Sequence, residues 1–421
     1  MKLKKIFILL FILIITSGIV FAQEVSYLDD LVQEALDNNP NLKSLEKRWQ
    51  AKKARILSEK TLPQPEFGFG YYGESIQTKV GPMEKKFSVK QPIPFPTKLS
   101  TRGKIAKKEA EIYYAKYILA VRGVIEQLKL QFYDYYFVQQ SRLILKAEKL
   151  ILEGVRETIK SKYETLNAPQ QDLVKIDVEI AKIEDRILQL KRQENLLRAQ
   201  INKTLNRSQK KELNLPLGYE LKVKELLVSK KELLEKAYQA SPHLLVDILK
   251  RAKQEEKFSL AKQGYLPDFS IMADYIEIGD ETTNLAKDGR DAWMVGVGIK
   301  IPLWFWKINS EVKSEKLNLE AEKYQVLDKE NFLEFKIEDL WFKLKTEEQL
   351  IDLYENVIVP ESQHNFSVSR TGYESRALDF LSFLDAERNL ISIKIAALKQ
   401  RVDYLNTIAQ LEYIIGEDLG G

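Results

Sequence analysis

Trp293-Met294-Val295-Gly296-Val297-Gly298-Ile299-Lys300-Ile301, followed by Pro302-Leu303-Trp304, alternates large apolar residues with small or polar ones. Period-2 alternation marks a strand with two unlike faces. The eleven steps from Trp293 to Trp304 predict roughly 36 Å of strand at ~3.3 Å each. Tilted by ~40°, that length covers a hydrocarbon layer.

Three more segments alternate in the same way. Phe67, Phe69 and Tyr71 alternate with Gly68 and Gly70; Phe87, Val89 and Gln91 with Ser88 and Lys90; Phe269, Ile271, Ala273 and Tyr275 with Ser270, Met272 and Asp274. Two hairpins follow, about 65–93 and 267–303. Aromatics crowd the junctions with the flanking sequence: Phe67, Phe95, Phe269, Trp304 and Trp306, with Trp293 opening the last strand. Such residues suit a membrane interface. Prolines (Pro92, Pro94, Pro96, Pro302) predict the end of each ladder and the start of a helix. Four strands cannot close a barrel, and an open edge cannot sit in lipid. If the hairpins span a membrane, several chains must share one barrel, whereas in a soluble sheet the apolar face would meet a core; about a dozen strands leave a water-filled passage, which three chains would supply.

The hairpins belong to a longer repetition. Pro40-Asn41-Leu42 and Pro65-Glu66-Phe67 recur as Pro242-His243-Leu244 and Pro267-Asp268-Phe269, an offset of 202. The offset becomes 210 from Lys90-Gln91-Pro92 against Lys300-Ile301-Pro302 through Tyr163 against Tyr373, then settles at 208. A period this long predicts a duplicated unit, with eight extra residues inside the second hairpin and two fewer after Tyr373.

Between the hairpins the chain favours long helices. From Thr97 to Ala168 there is no proline, and a helix over 97–163 would run about 100 Å. Apolar residues at 114, 118, 121, 125, 128, 132 and 135 step by four and three. The next helix carries Leu173, Ile176, Ile180, Ile183, Ile187, Leu190, Leu197, Ile201 and Leu205. Its counterpart carries Leu381, Leu384, Ile391, Ile395, Leu398, Val402, Leu405, Ala409 and Tyr413. Shifted by 208 the ladders coincide except where Ile180 meets Arg388 and Glu194 meets Val402. A 3.5-residue period predicts supercoiled packing on a neighbouring helix.

The start of the chain predicts export: Lys2, Lys4 and Lys5 precede the apolar run Ile6–Ile15, and Val20-Phe21-Ala22 suits signal cleavage. Removing those three lysines from 65 basic residues leaves 62 against 61 acidic, a near-neutral chain with no basic patch for nucleic acid. Cysteine is absent, so neither disulfides nor a lipid-modified cysteine are available. Enzyme chemistry finds no footing. The two histidines, His243 and His364, have no metal-ligand spacing, and there is no nucleophile elbow or phosphate loop. No catalytic residue, metal or cofactor is expected.

The most specific stretch lies in the second half: Val357-Ile358-Val359-Pro360, Tyr373-Glu374-Ser375, then Asp379-Phe380-Leu381-Ser382-Phe383-Leu384-Asp385-Ala386-Glu387-Arg388. Together with Asn39-Pro40-Asn41-Leu42 and Leu266-Pro267-Asp268-Phe269, it resembles the TolC-like outer-membrane efflux proteins over the whole mature chain. That family usually has Gly three residues after the tip tyrosine, where this chain has Arg376.

The resemblance implies a mixed α/β membrane protein, mainly α: a homotrimer with a 12-stranded β-barrel in outer-membrane lipid, continued by a 12-helix α-barrel in the periplasm. After a signal peptide at 1–22, a first repeat would span 23–206 (helices about 97–206) and a connector 207–228. A second repeat would span 229–416 (helices about 307–415), leaving a tail at 417–421. The implied function is a passive exit duct of a tripartite efflux or type I secretion system. Its partners would be a periplasmic adaptor and an inner-membrane pump of the resistance-nodulation-division or ABC type. The implied periplasmic tips lie near Leu166–Pro169 and 370–379, where Arg370, Tyr373, Glu374, Arg376 and Asp379 are the gate candidates. Two rivals stay open, a periplasmic adaptor and a coiled-coil structural protein without a pore. The first would lack a twofold repeat with hairpins at matched places, and the second would not explain the amphipathic strands.

Overall fold

The computed structural model of the chain describes residues 27–166, 168–215, 219–221, 223, 226–279 and 289–419. The expected signal peptide, Asn167 of the first expected tip, residues 216–218 of the expected connector, residues 280–288 of the expected second hairpin and residues 420–421 lie outside them.

Helices α1 (Tyr27–Asn38) and α2 (Pro40–Lys60) precede β1 (Glu66–Tyr71), β2 (Gln77–Thr78) and β3 (Gly81–Ile93). The long α3 (Pro96–Glu164) and its return α4 (Gln170–Thr204) follow. Next come α5 (Lys230–Ala240), α6 (Pro242–Lys262), β4 (Asp268–Ile278) and β5 (Ala292–Lys300). Helix α7 (Phe305–Leu353) passes through a π-helical turn (Tyr354–Ile358) into α8 (Val359–Glu374), and α9 (Phe380–Ile415) returns. Among the described residues, no helix is long and apolar enough to cross a membrane.

Local chemistry explains these boundaries. Asn39 Oδ1 accepts from the backbone N–H of Asn41 (3.0 Å) and Leu42 (3.3 Å), and Pro40 takes the first helical position of α2. The Asn39 amide also donates to the Thr204 carbonyl (3.0 Å), tying the start of α2 to the end of α4. Ser241 does the corresponding work before α6, where its Oγ donates to the Ile414 carbonyl at the end of α9 (2.8 Å). Over α3's 69 residues, a length of ~103 Å, the three glycines do not break the helix because neither side chain nor proline competes with its backbone bonds. The π turn was not apparent from the sequence. Pro360 cannot donate to the carbonyl four residues back, and the helix absorbs the lost bond by widening: Val359 N–H reaches Tyr354 O instead.

The strands form one antiparallel sheet in the order β1-β3-β4-β5, with the short β2 beside β3. The two hairpins meet along β3 and β4, from Met83↔Ile278 to Ile93↔Phe269. Two expectations need correction. Pro92 lies within the ladder, opposite Ser270. The β1 pairing has ended by Lys90↔Glu66, so the missing N–H of Pro92 leaves no partner unmatched on that side. Strand β5 stops at Lys300, short of Trp304, which serves instead as the N-cap residue of α7. At the junction, Lys98 Nζ reaches Asp268 Oδ1 (2.8 Å) and the Leu266 carbonyl (2.9 Å), while Asp268 also accepts from Phe95 N–H (3.0 Å). This clamp locks the head of α3 to the root of β4.

Side chains pack into two cores along the helices. The larger joins Leu128, Phe132 and Val138 of α3, Ile201 of α4, Leu333 and Ile337 of α7, and Val402 and Leu411 of α9. Leu213, Leu226, Tyr219 and Leu221 of the segment between α4 and α5 close over it. The smaller joins Leu145, Leu152 and Ile159 of α3, Ile176, Ile183 and Ile187 of α4, and Phe380, Phe383, Leu384 and Ile391 of α9. The expected stripe on α9 fails at one end, since Leu381 is exposed and Phe380 and Phe383 take the buried positions. The α9 stripe starts one residue earlier because Asp379 caps the helix and sets its phase.

The turn after α8 accounts for the unusual Arg376. Ala377 N–H donates to Gly372 O (2.7 Å) and Arg376 N–H to Tyr373 O (3.2 Å), the paired bonds of a Schellman cap. That cap needs a left-handed residue, and Arg376 supplies it at φ 66°; Leu166, three residues after Tyr163, does the same at φ 58°. A Cβ in this conformation costs about 1 kcal/mol. Arg376→Gly is expected to raise stability by roughly that amount, read as a higher melting temperature. Phe132→Ala, at the centre of the larger core, is expected to lower stability by about 3–5 kcal/mol in the same assay.

Candidate functional site

The sheet and the far ends of the helical hairpins are the two regions where sequence placed function. In an antiparallel sheet, directly paired residues share a face. One face of this sheet carries the rows Phe69–Phe87–Tyr275–Trp293 and Phe67–Val89–Ala273–Val295, followed by Ile271–Val297 and Phe269–Ile299. These residues are uncovered: Phe67 is 77% exposed, Trp293 76% and Val297 71%. The opposite face reads Gly68–Ser88–Asp274–Met294 and Glu66–Lys90–Met272–Gly296, and there Lys86 pairs with Asp274 (3.3 Å). Among the described residues, the apolar face therefore has no core above it, and the outer sides of β1 and β5 carry no strand. Trp304 and Trp306 are exposed and pack together at 5.2 Å, whereas Phe95 and Phe269 are half-buried. Trp293 lies at the other end of its strand from the tryptophan pair.

At the far end of the helices the five gate candidates fall into different roles. Tyr373 is half-buried, stacks on Phe383 (5.7 Å, 22°), meets Phe380 (5.3 Å) and has Lys162 Nζ over its ring (5.0 Å). Burial, then the nearby Asp172, pushes its phenol up to about 12, so it stays neutral. Arg370 and Glu374 form an exposed pair one helical turn apart (3.1 Å). Asp379 caps α9, its Oδ1 accepting from Ser382 N–H (2.8 Å), and these bonds hold its carboxyl below the usual range. Tyr373, Arg376 and Asp379 line one groove of about 460 Å³ with Lys162, Pro169, Asp172 and Lys175, which brings both tips together. Arg370 and Glu374 lie outside it.

The residues that bind one helical hairpin to the other were missed as site residues. Arg388 of α9 grips Glu179 of α4 through two nitrogens (2.5 and 2.8 Å), holding that carboxyl down to about 2. Lys394 of α9 reaches Glu148 of α3 (2.9 Å), and Arg401 pairs with Glu355 in the π turn. Within the first hairpin, Arg142 holds Glu194 (3.1 Å) and Arg156 holds Asp177 (2.6 Å). A signal was present in the sequence. The two mismatches between the apolar ladders, at Arg388 and Glu194, are where charged side chains cross between helices.

No group of His, Cys, Asp and Glu suited to a metal occurs among the described residues. The arrangement offers surfaces and links rather than reactive groups.

The family model described as outer membrane efflux protein matches residues 233–417. No curated protein matches the sequence. Among solved structures, the fold is similar to the Campylobacter jejuni CmeC outer membrane channel, with 15% identity and TM-score 0.75 over 92% of this chain and 85% of that one. It is similar to the outer membrane protein VceC of Vibrio cholerae, with 14% identity and TM-score 0.78 over 93% and 97%. It also resembles the open state of the Neisseria gonorrhoeae MtrE outer membrane channel, with 15% identity and TM-score 0.76 over 93% and 89%. The outer membrane efflux protein model thus matches the second half of the chain, and the fold of these channels extends over more than nine-tenths of it.

Proposed function

We propose that three copies of this chain assemble into a passive exit duct. The observation that carries this reading is the sheet: a continuous apolar face open to its surroundings, between two edge strands with unmet backbone groups. In water such a face and such edges drive aggregation. In lipid the face is satisfied, but the edges demand partners. Joining β1 of one copy to β5 of the next meets that demand. Three copies of four principal strands make twelve, enough for a water-filled barrel. Below it, α7 exposes Leu317, Tyr324, Phe335 and Phe342 along one side, a stripe that a neighbouring copy would cover. Three sets of long and returning helices then continue the passage through the periplasm as a 12-helix barrel.

Transport in this duct makes and breaks no covalent bond. The polar face of the sheet, with its glycines and the Lys86–Asp274 pair, lines the upper passage. Its closed end is the ring of tips, where Arg370, Tyr373, Glu374, Arg376 and Asp379 meet their symmetry copies. A periplasmic adaptor would dock there and join the duct to an inner-membrane pump of the resistance-nodulation-division or ABC type. Exposed ion pairs contribute only about 0–1 kcal/mol each. A closed tip therefore relies on several links repeated three times, and on the packing of Tyr373 against Phe383.

The assembly is tested by fractionation and cross-linking. A detergent-extracted, heat-modifiable trimer in the outer-membrane fraction is expected; monomer released into the soluble periplasm would overturn the reading. For the gate, Arg376→Ala and Tyr373→Phe are each expected to raise single-channel conductance in planar bilayers. Conductance unchanged in both removes these residues from the gate.

A further inference from the structure

One carboxyl has no place in the account above. Glu387 of α9 is 1% exposed, and neither of its oxygens has a hydrogen-bond partner. Two more buried carboxylates stand beside it, Glu148 of α3 (3% exposed) and Glu179 of α4 (6%). Each of those is answered, Glu148 by Lys394 (2.9 Å), Glu179 by Arg388 (2.5 Å) and Lys182 (2.8 Å). The charges acting on Glu387 are thus Glu148 from α3, Glu179 and Arg186 from α4, and Arg388 on its own helix; among the described residues α8 adds none. Both nearby cations are poor partners. Arg186 does not bond to it, and Arg388 is held by Glu179 through two contacts.

We propose that Glu387 is a buried proton switch, holding α9 against α3 and α4 while neutral and loosening them when it ionises. An uncharged acid can stay in this site at the cost of one unmade hydrogen bond, whereas a carboxylate without a partner there is far more costly. Burial first, then Glu148 and Glu179, pushes its carboxyl up to about 8. Once ionised it repels both neighbours and competes with Glu179 for Arg388, the contact that joins α9 to α4. The proton leaves to solvent as the helices part, and no other group is required. The folded chain binds this proton more tightly than the unfolded chain does. The stability it contributes is therefore complete below the ordinary value of 4.5 and is lost as pH rises through about 8. The switch would make the helical barrel tighter in acid and looser in alkali. This inference rests on the packing of one chain, and only its conductance arm depends on the channel reading.

The test compares the full-length wild type with Glu387→Gln, which keeps the shape and cannot ionise. Melting temperature of the detergent-solubilised protein is measured from pH 6 to pH 9, with infrared spectra over the same range. The wild type is expected to lose stability towards pH 9 and to lose the C=O stretch of a buried protonated acid. In Glu387→Gln that band is absent and the alkaline loss is smaller. In bilayers, wild-type conductance is expected to rise towards pH 9 and that of the variant to stay flat. Identical pH profiles for both proteins, or no titrating acid band in the wild type, overturn the proposal. If Glu387→Gln does not assemble, Glu387→Leu serves the same comparison. Absence of any pore with the melting and infrared differences intact would remove the channel reading and leave the switch standing.

Discussion

A β-strand edge cannot be left unmet in hydrocarbon, because nothing there replaces water as a partner for N–H and C=O groups. The rest of this molecule depends on that constraint. Among the described residues its sheet has four principal strands, an apolar face without a core, and no strand beyond β1 or β5. In lipid such a sheet would need a partner at each edge. The clamp of Lys98 and Phe95 on Asp268 matters for the same reason. It fixes the root of the sheet to the head of a helix of 69 residues.

The helical part follows a different logic. Its two cores are built from side chains at coiled-coil spacing, and between them the packing is interrupted by charge. Lys394–Glu148, Arg388–Glu179 and Arg142–Glu194 each cross from one helix to another, and Arg388 and Glu194 stand where the other repeat has Ile180 and Val402. Replacing a hydrophobic contact with a buried pair is seldom stabilising in itself. What such pairs supply is a contact that can be exchanged. The charged crossings join α3, α4 and α9 without a continuous apolar seam. Glu387, buried among them without a partner, is the extreme case.

Sequence reading identified the strands, and it missed how the turn after α8 is built. Alternation identified all four principal strands because each has one consistently apolar face, and that pattern survives whatever the strand packs against. It misjudged Pro92 and the end of β5 because whether a missing N–H matters depends on which side of the strand has a neighbour. The departure at Arg376 was visible as a residue out of place, and its meaning came from φ 66° and the cap bonds around it. Asp379 is a gate candidate by its charge near a turn, and the structure adds the local task of capping α9.

By itself, the sequence determined the type and order of the elements and the apolar face of each principal strand, since these follow from residue spacing and backbone preference along the chain. Only the tertiary structure decided which charges meet. Glu179 and Arg388 lie 209 residues apart, and Glu148 and Lys394 lie 246 apart. The pairing of such residues depends on how helices cross in space, which no local pattern records. The same is true of Glu387, an ordinary member of a charged run until three helices close around it.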